Sequence, residues 1–269
     1  MEESYNNFIL PKYRDQLYPD NITDNTLSIE DRIDRTNLDV YTIDPIGCTD
    51  ADDGFSIVVD EHIHLFIHIA DPTEHFSYDS EQFACILANG LTHYPSGYEA
   101  LHMFPKEIIE KFTLIDGNKH AITVHTEFDH RLNIIKSDIE FTKIFCDPKF
   151  RFSYEEASEL YKNHVVLEMG FALYNKFYNI RKGVGKKLTK LNYAYAKKNS
   201  GEFEFKVDNI DIKNMKNMIG EFAIHANKTV AEYIYKNRPE VLFVRSCVAD
   251  IDDEISPYKL MNSIIENGI

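Results

Sequence analysis

Asp44, Asp50, Asp52 and Asp53 fall within ten residues of one another in the stretch Tyr41 to Gly54, YTIDPIGCTDADDG, with no lysine or arginine among them. Carboxylates this close repel one another, so they point separately into water, share protons, or converge on a divalent cation. The flanking residues favour convergence. Tyr41-Thr-Ile43 before the cluster and Phe55-Ser-Ile-Val-Val59 after it read as strands, with Pro45 and Gly47 breaking the chain between them. Two strand ends joined by a short irregular loop can bring Asp44 against the Asp50 to Asp53 group, and an all-oxygen ligand set suits Mg²⁺ or Mn²⁺. The competing reading is a solvated acidic turn. An EF-hand is excluded, because with Gly54 in the glycine slot of that loop Thr49 and Ala51 would stand where ligands are required. GVGKK at 183–187 is not a phosphate loop either, since it follows a helical stretch and has no hydroxyl after Lys186.

The elements that must position the loop are legible around it. His62 to Ala70 alternates as a strand that sets His62, His64 and His68 on one face, which reads as a sheet face more readily than as a zinc or iron site. Glu81 to Leu91 reads as a helix, and Thr92 to Pro105 as a loop rich in Pro, Gly and aromatics. Ala121 to Phe128 and Asn133 to Cys146 read as a hairpin turning at Asp129 to Leu132. Ser153-Tyr-Glu-Glu156 has capping-box spacing and opens a long helical stretch toward Arg181, with Tyr161, Val165, Leu167, Phe171, Leu173 and Phe177 available for a buried face. A second long helix runs from Ile212 to about Lys236, its apolar stripe made by Met215, Met218, Ile219, Phe222 and Ala226. Glu221 lies beside that stripe, so it must find a partner or water. Residues 1–36, polar and broken by Pro11 and Pro19, read as an arm, and residues 37–269 as one large domain of α/β (α+β) class.

Charge divides the chain. Residues 1–150 hold 11 Lys and Arg against 28 Asp and Glu, a balance of −17, whereas residues 151–269 hold 18 against 16, a balance of +2. From Arg181 to Lys198 there are seven basic residues and no acidic one, with Tyr193 and Tyr195 interleaved. Such a segment suits a single nucleic-acid strand, whose phosphates it pairs and whose bases it stacks on; an ordinary solvated loop has the same composition. Cys48, Cys85, Cys146 and Cys247 are too scattered for a disulfide framework or a zinc ribbon. With no stretch near the ~20 apolar residues of a membrane span and no signal-like N-terminus, a cytoplasmic location is expected.

Thr-Ile-Asp44, five residues, then Asp50-x-Asp52-Asp53 and a small residue resembles the metal-binding signature of the ribonuclease II family, whose catalytic domain is called RNB. Further matches follow in order. His68-Ile-Ala-Asp71, Leu91-Thr-His-Tyr94, Met103-Phe-Pro105, the stretch Ala172 to Arg181, and the helix around Glu221-Phe-Ala-Ile-His-Ala-Asn227 are each similar to a family segment, so the resemblance covers roughly Asp31 onward. It implies an RNB-like fold with a mixed, largely antiparallel sheet packed by long helices. It also implies a Mg²⁺-dependent (or Mn²⁺-dependent) exoribonuclease that hydrolyses single-stranded RNA from the 3′ end to nucleoside 5′-monophosphates. In that reading Asp44, Asp50 and Asp53 bind metal and Asp52 is catalytic. Tyr94 and Glu221 hold the terminal nucleotide, and Arg181, Lys186 and Lys187 guide the strand. The family's downstream Ser-Pro-x-Arg-Arg/Lys-Tyr motif has only a poor counterpart in Ser256-Pro-Tyr-Lys259. Two alternatives therefore stand beside the enzyme: a second polypeptide supplies that segment, or the chain is a catalytically impaired homologue that binds RNA or protein.

Overall fold

The structure is a computed structural model and describes residues 31–93, 102–184, 194–197, 203–206 and 209–242. In chain order its strands are β1 (Ile33–Asp34), β2 (Thr42–Asp44), β3 (Asp53–Val59), β4 (Ile63–Ala70), β5 (Gly117–Phe128), β6 (Ile134–Cys146), β7 (Arg151–Ser153), β8 (Ala194–Lys197) and β9 (Phe203–Lys206). Its α-helices are α1 (Glu81–Asn89), α2 (Lys106–Phe112), α3 (Tyr154–Leu160), α4 (Val165–Val184) and α5 (Ile210–Asn237). The main sheet has the order β1-β6-β5-β4-β3 and is antiparallel except for β1, which joins β6 in parallel; β2 pairs with β7 in parallel, and β8 with β9 antiparallel. The fold is thus the expected mixed α/β arrangement.

Strand alternation decides what each sheet face meets. On β4, Ile63, Leu65 and Ile67 point one way and join Phe55, Val124 and Phe128 in a core closed by α4 and α5 through Leu167, Leu173, Phe177, Met215, Met218 and Phe222. The Phe55 and Phe222 rings meet edge-on at 5.3 Å. Each such side chain taken fully out of water contributes about 1.5–3 kcal/mol, so this layer dominates the stability of the domain. The opposite face carries His64, Phe66 and His68, as the even spacing requires. His68 is fully buried between Ser56 and Thr123, and Phe66 stacks on His125 at 4.2 Å. Toward the Ala70 end of that face, α1 and α2 bring Ile86, Ile108, Ile109 and Phe112 over Ala70, Ala121 and Ile144 to form a second core. The acidic loop lies at this end of the sheet, where the carbonyl of Asp52 accepts from Ala70 N at 2.8 Å.

The single long helix expected from Ser153 to Arg181 is two. The capping box at Ser153 and Glu156 forms as read, but α3 stops at Leu160, a 3₁₀ turn spans Tyr161–Asn163, and His164 is extended. Tertiary bonds override continuity there: the Tyr161 hydroxyl and the Lys162 ammonium both reach Asp211 of α5, each at 2.9 Å. The break restarts the helical phase, which is why Val165, counted with the buried face, is 78% exposed while Leu167 and Leu173 are fully buried. Helix α2, following Pro105, is too short for its periodicity to stand out in the sequence. The hairpin turns where expected. Asp129 Oδ1 accepts from the backbone of Arg131 and Asn133, both at 2.8 Å, and Leu132 takes the left-handed conformation at φ 59°.

Candidate metal site and a paired Arg–Glu

The acidic loop is clamped from several sides. Reciprocal 2.8 Å hydrogen bonds between Tyr41 and Phe55 lay the chain entering β2 against the start of β3, which brings Asp44 back toward Asp52 and Asp53. The close approach leaves little room at Gly54: a Cβ there would stand 3.0 Å from the Tyr41 carbonyl and 3.2 Å from side-chain atoms of Thr42 and Val40, so even an alanine would need its neighbours to give by a few tenths of an ångström. The turn itself is closed by Cys48 N donating to the Pro45 carbonyl at 3.0 Å, with Gly47 at φ +79°. Ala51 is fully buried, and its carbonyl accepts from Leu114 N at 2.8 Å and Thr113 Oγ1 at 3.0 Å. Arg151, aligned with Thr42 in the β2–β7 pair, donates to the carbonyl of Cys48.

These restraints place four carboxylates around one cavity of about 470 Å³ that is also lined by Cys48 and His102. Burial raises the Asp44 carboxyl, helped by the charge of Asp50 and opposed by Arg151 and by a hydrogen bond from Cys48. Burial, then the charges of Asp44 and Asp52, pushes Asp53 up to about 6. Asp52 is likewise pushed up to about 6, by burial of its surroundings and then by Asp50 and Asp44. Because Asp52 is itself exposed at the cavity mouth, its neighbours' charges are the firmer cause there. Asp44 Oδ2 is buried with no hydrogen-bond partner, an arrangement that strongly costs a carboxylate unless a cation meets it. Oxygen-only donors and this orphaned oxygen are the chemistry that suits a hard divalent ion. Among the described residues, however, no group of three His, Cys, Asp or Glu side chains is arranged to hold a metal ion.

The β2–β7 pairing aligns Asp44 with Ser153, which brings Tyr154 to the site. Burial and then the charges of Asp44, Asp53 and Cys48 push its hydroxyl up to about 12. The Lys216 ammonium of α5 lies 5.6 Å from the centre of its ring. In the sequence this stretch shows only as a helix cap; the one local signal for the site is an aromatic directly after that cap.

Glu221 is 2% exposed and finds its partner in Arg181. The guanidinium spans both carboxylate oxygens, with Nε at 3.2 Å and 3.1 Å and Nη2 on Oε1, and stacks over Tyr178. Two residues assigned separately to nucleotide contact and strand guidance are therefore one ion pair that ties α4 to α5. Tyr94, Lys186, Lys187 and Ser256 to Lys259 lie outside the described residues. No helix of the described residues is long and apolar enough to cross a membrane.

Comparison with known proteins agrees with this fold. The RNB domain family model matches residues 32–267, and the chain belongs to that family. The Exoribonuclease 2 of Xenorhabdus bovienii is 30% identical over 135 residues, which are 48% of this chain and 20% of that protein, so the chain spans about a fifth of the length of such curated relatives. Among solved structures, Mycoplasma genitalium RNase R in complex with ribose-methylated single-stranded RNA aligns with a TM-score of 0.68 at 20% identity, covering 86% of this chain and 37% of that one. Yeast Ssd1, described as a pseudonuclease, aligns at 0.61 with 18% identity, covering 77% of this chain and 26% of that one.

Proposed function

We propose that the chain is an exoribonuclease domain that hydrolyses single-stranded RNA from its 3′ end to nucleoside 5′-monophosphates, with Mg²⁺ or Mn²⁺ as its cofactor. The observation that carries this reading is the buried, unpartnered Oδ2 of Asp44, a residue that lines one cavity with three further aspartates. Similarity to an Exoribonuclease 2 and to an RNase R bound to single-stranded RNA supports the substrate class. Asp44, Asp50 and Asp53 would hold the ion, which when bound offsets phosphodiester charge and activates water. Asp52, open at the cavity mouth, would orient the attacking water. Glu221 and Arg181 act together: the pair fixes α4 against α5 and holds the polar edge that would meet the terminal nucleotide. Tyr94 would stack on that nucleotide, and Lys186 and Lys187 would steer the strand toward the site.

A second reading is a catalytically impaired homologue that retains RNA binding. It is favoured by the shared fold of a pseudonuclease and by carboxylates that do not yet close on one point. Digestion of a 5′-labelled single-stranded RNA with Mg²⁺, beside EDTA and Asp52→Asn controls, separates the two. A descending ladder lost in both controls establishes the nuclease. Intact RNA at high protein concentration, with binding retained, establishes the impaired homologue.

A further inference from the structure

At the end of the main sheet away from the acidic loop, a row of polar groups runs across one face: Asp60 in the β3–β4 turn, His64 on β4, His125 on β5, Glu140 on β6, and Arg35 just after β1. His64 Nε2 lies 3.2 Å from Asp60 Oδ1, His64 Nδ1 lies 3.0 Å from His125 Nε2, and His125 Nδ1 lies 3.1 Å from Glu140 Oε1. Arg35 ends the row, meeting both Glu140 oxygens at 2.8 Å and 3.1 Å with its guanidinium 5.1 Å from the centre of the Phe66 ring. The His64, His125 and Glu140 side chains are 18%, 12% and 10% exposed, so water does not readily replace these partners.

The two carboxylates are ionised and can only accept. A backbone hydrogen bond from His62, then weaker contacts with His64 and His62, hold Asp60 below its ordinary range. Burial works against the Glu140 charge, but hydrogen bonds from His125 and Arg35 outweigh it and push that carboxyl down to about 2. His64 Nε2 and His125 Nδ1 must therefore each carry a hydrogen, and the central nitrogen–nitrogen contact takes a third, on one side only. Three hydrogens on two rings make one imidazolium and one neutral imidazole, and the row then alternates in sign and sums to zero. With two hydrogens one contact is lost; with four, two N–H groups confront each other across 3.0 Å. We propose that the His64–His125 pair is a proton-gated clasp, which ties the β3–β4 hairpin to β5 and β6 while it holds one extra proton and opens at its centre when that proton leaves or a second arrives. The other ionisable groups of this face keep to contacts of their own. His62 meets Glu127 at 2.5 Å, Lys136 reaches Glu127 at 3.8 Å and Asp138 at 3.4 Å, and His68 is enclosed by Ser56 and Thr123.

The test follows amide hydrogen exchange in the full chain, corrected for intrinsic rates, at the β4 and β5 positions flanking His64 and His125 across a pH series. The local opening constant should be smallest at one intermediate pH and rise by about fivefold on either side, the worth of one hydrogen bond. At that minimum, nitrogen-15 spectra of the two rings should show three protonated nitrogens and a coupling across the central contact. His64→Asn places an amide that either donates or accepts at the Nδ1 position, so the tie should survive while the pH minimum flattens. His125→Gln offers the same adaptable group from the other side, and should flatten the minimum where His64→Asn does not fold. A monotonic profile, a minimum that persists in these variants, two or four protonated nitrogens at the minimum, or an acid-side rise abolished by His68→Gln overturns the proposal.

Discussion

Two groups of carboxylates lie near the Ala70 end of the sheet and are held in opposite ways. Asp71 and Glu74 are buried around Arg32, whose Nη2 meets Asp71 Oδ2 at 2.6 Å and whose Nε meets Glu74 Oε1 at 2.7 Å, while Nη1 donates to the carbonyls of Ala121 and Thr142. Burial works against the Asp71 charge, yet hydrogen bonds from Thr73 and Arg32 hold that carboxyl below its ordinary range. In the acidic loop the shifts run the other way: Asp44, Asp52 and Asp53 are all raised. The first cluster contains its own cation and is structure. The second has the charge deficit of a binding site, and the contrast is the physical reason for assigning function to one and not the other.

The comparison breaks first at Arg32. Arg32→Ala leaves Asp71 and Glu74 buried without a cation, and removing one partner of such a pair destabilises by about 3–5 kcal/mol. Urea unfolding should show that loss, whereas Asp53→Asn should leave the metal-free chain as stable as the parent or more so. An Arg32→Ala variant of near-parental stability would mean the two clusters do not differ as described.

Next in size is pH. His68 is pushed down to about 3 by burial, so it is neutral in the folded chain while its unfolded counterpart titrates near 6.5. The unfolded state therefore binds more protons below pH 6.5, and stability is lost as pH falls, by about 1.4 kcal/mol per unit and roughly 2 kcal/mol by pH 5. Asp53 has the opposite sign. Its folded value of about 6 lies above the unfolded one, so its contribution to the metal-free chain is present below about pH 4 and is lost as pH rises through 6. Mg²⁺ should accordingly raise the melting temperature more at pH 7.5 than at pH 5, with ~2.7 kcal/mol of stabilisation expected at a hundredfold excess over its dissociation constant. An Mg²⁺ effect independent of pH would argue against the aspartates as its ligands. Replacing His68 with Gln should flatten the acid limb and leave the Mg²⁺ effect unchanged.

What the sequence disclosed and what it withheld follow the range of the interactions. The Asp44 to Asp53 cluster, the strands around it, the hairpin at Asp129 and the stripe of α5 are local patterns, and each appears where read. Arg32 pairs with residues 39 and 42 positions away, and the β2–β7 register that brings Tyr154 to Asp44 joins segments more than a hundred residues apart, so neither leaves a local mark. The break at His164 is of the same kind. Nothing in Tyr161-Lys-Asn-His announces that Asp211 will capture the first two side chains of that run. His102 comes to Asp50 only through the loop before α2, whose position is set by packing of Phe76, Phe104 and Phe112.

The smallest expected effect sharpens the contrast most cleanly. Gly47 sits at φ +79° with nothing within 4 Å of where a Cβ would stand, so Gly47→Ala introduces no clash and acts through the backbone alone. Left-handed geometry costs a non-glycine residue about 1 kcal/mol. If the loop is rigid, that loss appears as global stability and Mn²⁺ affinity is unchanged. If instead the turn relaxes locally, Asp44 and Asp50 move apart, and Mn²⁺ affinity falls by about fivefold for the same ~1 kcal/mol while the melting temperature stays put. Arg151 holds this loop through the Cys48 carbonyl, whereas Arg32 holds Asp71 and Glu74 by their carboxylates, so the second outcome is expected. An equal change placed near Arg32 should appear entirely in the melting temperature.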